Sequence, residues 1–292
     1  MNILTFDVEE WFLDHYKNRA SKERYERYDS YLHRILDTLE ENHIKASFFC
    51  VGQMATLFPD VIKLIQSRGH EIGCHSNLHT WLNKMTEMEC REDTRQAIDS
   101  LEQCIGEKVK SYRAPAFSIG KNNKWVFEIL VENGIEFDAS IFPASRSFGG
   151  FADFKQNIPC IVKYDDIQIK EFPICMTKIL GKEIAYSGGG YFRFFPLSFV
   201  EREMKKSSYA MCYFHLGDLI TESRGLQSKE EYEAYFKEKG TLKARYVRYI
   251  KGNLGKKRAM GKMISLINNN SFLNIKEADC IINWEAVPIV TL

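Results

Sequence analysis

The sequence predicts an α/β protein of parallel β-α repeats, closer to a barrel than to an open two-layer sheet. Three observations lead there. Short apolar runs of strand length alternate with amphipathic stretches of ten or more residues. The cycle recurs about four times in succession, with several of the helices ending at glycine. The apolar runs end in polar or ionisable residues while their interiors are largely apolar, which is how buried parallel strands read. Periodicity alone does not decide between barrel and open sheet.

In chain order, "MNILTFDV" is the first strand. "SKERYERYDSYLHRILDTLEENH" follows with Tyr28, Tyr31, Leu32, Ile35, Leu36 and Leu39 at helical spacing. "IKASFFCVG" is a second apolar strand, and "MATLFPDVIKLIQSRGH" a helix that Arg68-Gly69 closes. "EIGCHS" is the third strand, "TEMECREDTRQAIDSLEQCIG" a helix, "VKSYRAP" a strand, "NKWVFEILVENG" a helix and "IEFDAS" a strand. From 142 to 196 the rhythm breaks into loops and short strands, an insertion that includes the triple glycine of "YSGGGYFRFFP". That triple glycine suits either close backbone approach to a ligand or a turn needing positive φ. "FVEREMKKSS" and "YAMCYFHL" resume the alternation as helix and strand. Beyond 219 an extension reads as two helices, "SKEEYEAYFKEKG" and "LGKKRAMGKMISLINNN", and ends in "CIINWEAVPIVTL", a terminal strand or ordered tail. No linker divides the chain, so 1–292 is read as one domain.

Composition narrows the function. The 292 residues suffice for a sizeable core, and the formal charge of +1 offers no broad nucleic-acid surface. No apolar stretch is long enough to span a bilayer. The opening has no positively charged segment leading into an apolar one, and with it goes the expectation of a cytoplasmic protein. The eight cysteines form no CxxC pair and sit mostly in apolar runs, as reduced buried thiols do. The basic segment "GNLGKKRAMGKM" reads first as a solvated helix face, and second as a peripheral contact with anionic lipid or a diphosphate-bearing substrate.

Chemistry gathers at the strand ends, where α/β enzymes place it. The first strand delivers Asp7 and Glu9, which an extended backbone points to one side. The third delivers His75, with His79 after it in "HSNLH"; later strands deliver Arg113, Pro115 and Phe117, then Asp138 with Ser140, and finally His215. Two imidazoles and a carboxylate, with a position left for water, form a familiar hydrolytic metal site. On spacing alone His75 and His79 are equally residues of a surface loop; the convergence of several strand ends tips the reading to a metal. Arg113 suits a carboxylate partner or an ordinary salt bridge. Asp138 suits a histidine partner or a turn cap, and His215 a reacting group or a core histidine.

The same residues carry a resemblance to the polysaccharide deacetylase, or NodB-homology, family. The chain looks closest to a cytoplasmic-type bacterial subgroup associated with cell-surface polysaccharide (lipopolysaccharide or capsule) biosynthesis. "TFDVEEWF", "HSNLH", "RAPAF", "FDASIFP", "GGGYFRFFP" and "YFH" are similar to that family's motifs, in its order, over residues 3 to 218. The resemblance implies a distorted (β/α) barrel, usually of seven parallel strands, and hydrolysis of an N-acetyl group from a sugar. By motif, Glu9, His75 and His79 would hold a divalent metal, zinc first, with cobalt, nickel and iron as alternatives. Asp7 would be the base and His215 the acid, with Arg113 tuning Asp7 and Asp138 pairing with His215. Two departures stand out. Val8 separates base from ligand, and "HLGD" replaces the proline, tryptophan and glutamate that usually follow the last histidine.

The implied substrate is an N-acetylated sugar, free or carried on a nucleotide or lipid. Trp11, Pro115, Phe117 and Tyr191 are candidates for lining its pocket. Two further readings stay open: a related C–N hydrolase that opens a small ureide or cyclic imide, favoured by a narrow closed cleft, and a non-catalytic carbohydrate-binding member of the fold.

Overall fold

Residues 1–146, 149–222, 225–236 and 238–292 are described by a computed structural model. Ser147 and Phe148 of the expected insertion, and Ser223, Arg224 and Lys237 of the expected extension, lie outside the described residues. The strands are β1 (Asn2–Val8), β2 (Ser47–Cys50), β3 (Glu71–Cys74), β4 (Ser111–Tyr112), β5 (Phe137–Asp138), β6 (Cys160–Tyr164), β7 (Ile167–Glu171), β8 (Met176–Ile179), β9 (Lys182–Ala185), β10 (Ala210–His215) and β11 (Ile289–Thr291). Nine of them form one sheet in the order β10-β1-β2-β3-β4-β5-β7-β6-β11, and β8 pairs with β9 in a separate hairpin.

Neighbouring strands run parallel from β10 through to β7, β6 is antiparallel to β7, and β11 is parallel to β6. The expected barrel of seven parallel strands is therefore a mixed sheet of nine. No ladder joins β10 to β11 among the described residues. The reason lies in the segment after 142: it contributes the β6–β7 hairpin, which turns the sheet antiparallel at that edge, and β11 then pairs with β6.

The central strands are buried on both faces, so they need no polar alternation. All six residues of β1 beyond Asn2 are buried, and Phe6 stacks on Phe48 at 4.9 Å. The helices flank the sheet for readable reasons. Lys22–Glu41 starts at Ser21, whose side chain accepts the Arg24 N–H, and buries Tyr28, Leu32, Ile35, Leu36 and Leu39. Glu87–Ile105 opens with a reciprocal Thr86/Glu89 capping box and ends at Gly106, whose φ of +69° is left-handed. Pro59 divides the expected helix over 54–70 into Gly52–Leu57 and Pro59–Ser67.

Several helices were not foreseen from the sequence, among them two that border the site. Glu10–Tyr16 follows β1 directly, and Leu242–Asn253 precedes the helix Lys256–Asn269. Among the described residues no helix is long and apolar enough to cross a membrane. All eight cysteines are free thiols; six are buried, Cys104 is half-buried and Cys280 is exposed.

The triple glycine serves packing and turning. A Cβ on Gly188 would meet the Tyr213 ring at 2.1 Å, and Gly189 opens the helix Gly189–Phe194 with a φ of +51°.

Candidate active site

Register sets the first half of the site. Asp7 is the direct neighbour of His215 across β1 and β10, and Val8, Cys50 and Cys74 end the next strands at one level. Asp7 is buried between two cations. Its Oδ1 accepts a bond from Arg113 Nη1 at 2.9 Å, and its Oδ2 lies 3.5 Å from His215 Nε2. Arg113 is wholly buried, a state a guanidinium holds only when its donors are met. It donates to Thr5 Oγ1 at 2.7 Å and to the Ala139 carbonyl at 3.1 Å, and lies 4.3 Å from the Phe49 ring centroid.

Glu9, His75 and His79 make the second half. One ligand atom from each lies within 4.8 Å of the others. Glu9 Oε2 is 3.6 Å from His75 Nε2 and 2.6 Å from His79 Nε2. Burial would raise the Glu9 carboxyl, but His79, His215 and His75 overcome it and hold it well below the usual carboxylate range. "HSNLH" is a loop, not a helical turn, with Ser76 and His79 at φ of +59° and +55°. Asp93 holds that loop by accepting the N–H groups of Asn77 at 2.8 Å and Leu78 at 3.2 Å. Its carboxyl is pushed up to about 6 by burial.

The donor set fits a divalent cation. His75 Nδ1 is 2.7 Å from the Arg113 carbonyl, so the Nδ1–H tautomer is fixed and Nε2 presents its lone pair. That Nε2 is buried and meets no hydrogen-bond partner among the described residues. A polar atom left so is costly unless something occupies it.

His215 is anchored from an unforeseen side. Its Nδ1 lies 2.9 Å from Asp218 Oδ2, and Asp218 Oδ1 is 3.3 Å from Arg193 Nε. Burial would lower the imidazole, yet Glu9, Asp218 and Asp7 more than reverse that and raise it to about 10. The expected pairing of Asp138 with His215 is corrected here. Asp138 is fully buried, accepts a bond from Ser140 Oγ and stands across from Glu171. Burial raises both carboxyls, and the Asp138 charge raises Glu171 further. Ser140 Oγ also accepts the Ala114 N–H at 2.8 Å, so Asp138 braces the loop that carries Arg113. The legible signal for Asp218 was an acid three residues after a strand-end histidine, the spacing of a capping box.

Asp7, Glu9, His79 and His215 line a cavity of about 1390 Å³, with His75 buried behind them. Phe117 and Tyr191 line it. Trp11 and Pro115 do not. Trp11 lies on the helix Glu10–Tyr16, which turns its indole into the core, where Nε1 donates to Asp29 Oδ1 at 3.1 Å. Pro115 is buried beneath the loop whose next residues, Ala116 and Phe117, take left-handed φ and face the cavity.

Residues 3–137 match the family model described as polysaccharide deacetylase, and residues 139–279 match a domain of unknown function (DUF3473). A peptidoglycan-N-acetylglucosamine deacetylase of Bacillus cereus is 36% identical over 96 residues, which are 32% of this chain and 35% of that protein. A peptidoglycan deacetylase of Helicobacter pylori is 24% identical over 108 residues, 37% of this chain and 36% of its own. The chain thus spans about a third of the length of these relatives. Among solved structures, a putative polysaccharide deacetylase from Mycobacterium smegmatis superposes with a TM-score of 0.65 at 17% identity, covering 100% of this chain and 92% of its own. At that identity the likeness concerns the fold.

Proposed function

We infer, for a chain whose residues 3–137 match the polysaccharide deacetylase family model, a metal-dependent hydrolase that removes an N-acetyl group from an amino sugar. The observation that carries this reading is the pairing of two arrangements on one strand end. Asp7 faces Arg113 and His215, while Glu9, two residues on, faces His75 and His79. A divalent cation held by Glu9, His75 and His79 would polarise the acetamide carbonyl and make water nucleophilic at neutral pH. Zinc suits two imidazoles and a carboxylate; cobalt, nickel and iron(II) accept the same donors.

The remaining work falls to side chains. Asp7 accepts a proton from the attacking water as the C–O bond forms, while Arg113 Nη1 holds Oδ1 at 2.9 Å and so fixes the carboxylate in place. As the C–N bond breaks, His215 delivers a proton from Nε2 to the departing sugar amine. Asp218 accepts the Nδ1–H and holds the ring in the orientation that aims Nε2 inward. The 3.5 Å between His215 Nε2 and Asp7 Oδ2 is a short path by which the proton returns after turnover. Acetate and a free amino sugar leave, with one water consumed.

The cavity supports a sugar-sized or larger substrate over the small ureide or imide, which a narrow closed cleft would suit. A precursor of a surface polysaccharide, handled in the cytoplasm, belongs to the same proposal; six buried free thiols fit a reducing compartment. The test is acetate release by metal-reconstituted protein from free, nucleotide-linked and lipid-linked N-acetyl sugars, beside Asp7→Asn. Release from one sugar, lost in the variant while metal content stays, is the expected result. Metal retained with no acetate from any sugar, but turnover of a cyclic imide, would replace this reading with the ring-opening one.

A further inference from the structure

The extension carries two successive helices of opposite habit. Lys256–Asn269 turns its apolar side inward, burying Ala259, Met260, Met263, Leu266 and Ile267. Leu242–Asn253 buries no residue. Leu242, Tyr246, Val247, Tyr249, Ile250 and Leu254 are each 38–59% exposed. At 100° per residue they occupy an arc of about 160°, interrupted by Lys243 and Asn253, a largely apolar face that a soluble helix would normally turn toward the core. The opposite side is held to the body. Ala244 packs against the Trp81, Tyr232 and Phe236 cluster, Arg245 donates to the Gln227 carbonyl at 3.0 Å, and Arg193 donates to the carbonyls of Gly252 and Lys251. The helix therefore cannot bury its stripe by rolling over without breaking these bonds.

We propose that Leu242–Asn253 seats its outward face on an anionic membrane surface, with the mouth of the catalytic cavity beside it. Charge selects this occupant. The segment from Leu242 to Lys262 carries eight lysines and arginines and no aspartate or glutamate. Lys243 and Lys251 on this helix, and Lys257 and Arg258 at the start of the next, are exposed, and such long side chains can reach headgroups while aliphatic and tyrosine side chains enter the acyl boundary. A second copy of the chain would bring these cations against their own kind, and nucleic acid has no use for a leucine, isoleucine and valine face. The helix is also a wall of the catalytic cavity, through Arg245, Arg248, Tyr249 and Lys251. A lipid-carried sugar would then meet the cavity at the bilayer. That last step rests on the deacetylase reading; the docking does not.

Co-sedimentation of the full chain with vesicles tests it, with no dependence on activity. The expected result is binding to phosphatidylcholine vesicles containing one-third phosphatidylglycerol, about tenfold or more above binding to pure phosphatidylcholine, and weakened by salt. The double variant Tyr246→Ser/Ile250→Glu changes two exposed residues outside the cavity lining, so it folds, keeps the activity on soluble substrate and loses vesicle binding about tenfold. No binding to either vesicle overturns the proposal. So does binding that the double variant leaves intact, which would be headgroup charge without insertion. A dimer that the double variant dissociates, without vesicle binding, would assign the face to a second copy.

Discussion

His215 Nδ1 and Asp218 Oδ2 stand 2.9 Å apart across a single turn, and Asp218 is itself tied to Arg193 at 3.3 Å. The acid group of the proposed reaction is thus oriented by its own helix start, not by a neighbouring strand. Asp218→Asn keeps the shape but not the charge. The expected outcome is a fall of about 10–100-fold in kcat with KM little changed. The alkaline limb of the pH–rate profile should move to lower pH, because the carboxylate that favours the protonated ring is gone. A melting temperature that drops while kcat and the profile stay put would make Asp218 a structural cap only.

The metal triad predicts a stability readout as well as a catalytic one. A cation that binds only the folded chain stabilises it by about 2.7 kcal/mol at a hundredfold excess over Kd. Added zinc should therefore raise the melting temperature of the metal-free wild type and of Asp7→Asn, whose side chain is outside the triad. It should fail to do so for His79→Ala and Glu9→Gln. Elemental analysis gives the stoichiometry. An equal shift in all four proteins would place the cation elsewhere.

What could be read from the sequence depended on how local the cause was. Glu9 and His75 were legible because parallel strands deliver their last residues to one face, while His79 joins them through the loop that Asp93 holds. Asp7 with Arg113 followed by the same logic. Asp138 and His215 are both strand-end residues too, but β5 and β10 are not neighbours, and Glu171 on β7 takes the place beside Asp138. Trp11 was misplaced because helix Glu10–Tyr16 begins at once after β1 and rotates it inward. The outward stripe of Leu242–Asn253 has the periodicity of any amphipathic helix; which side is covered is a tertiary fact. Sheet closure is likewise set by long-range pairing of β6, β7 and β11, which no local pattern encodes.

The Arg113–Asp7 pair should couple strongly in a double-mutant cycle. Arg113 is fully buried and its guanidinium reaches Asp7 at 2.9 Å, so Arg113→Met leaves a carboxylate without its cation in a low-dielectric site. Loss of one partner of such a pair costs about 3–5 kcal/mol. Adding Asp7→Asn removes the stranded charge, so the double variant should recover part of that loss in urea unfolding. Strict additivity would mean that Thr5 and the Ala139 carbonyl, not Asp7, account for what Arg113 contributes to stability.

Remote from the site, His70 should make the fold acid-labile. Its Nδ1 accepts the Ala46 N–H at 3.3 Å and its ring packs on Phe48 at 5.1 Å, both of which suit the neutral imidazole. Burial, then the charges of Lys45 and Arg68, push it down from 6.5 to about 4. Between those two values the unfolded chain binds the proton and the folded chain resists it. Stability tied to His70 is therefore fully present above about pH 6.5 and is lost as pH falls through about 4. The shift corresponds to about 3 kcal/mol. Asp93, raised to about 6, acts with the opposite sign over an overlapping window, so the raw stability curve mixes the two. The comparison that isolates His70 is urea unfolding of wild type and His70→Asn at neutral pH, pH 5 and pH 4. Asparagine keeps an acceptor for Ala46 but takes no proton, and the Asp93 contribution cancels in the difference. The wild type should lose its advantage over the variant, and then fall behind it, as the pH drops. A difference that stays constant across the series would mean that His70 stays neutral or charged in both states alike.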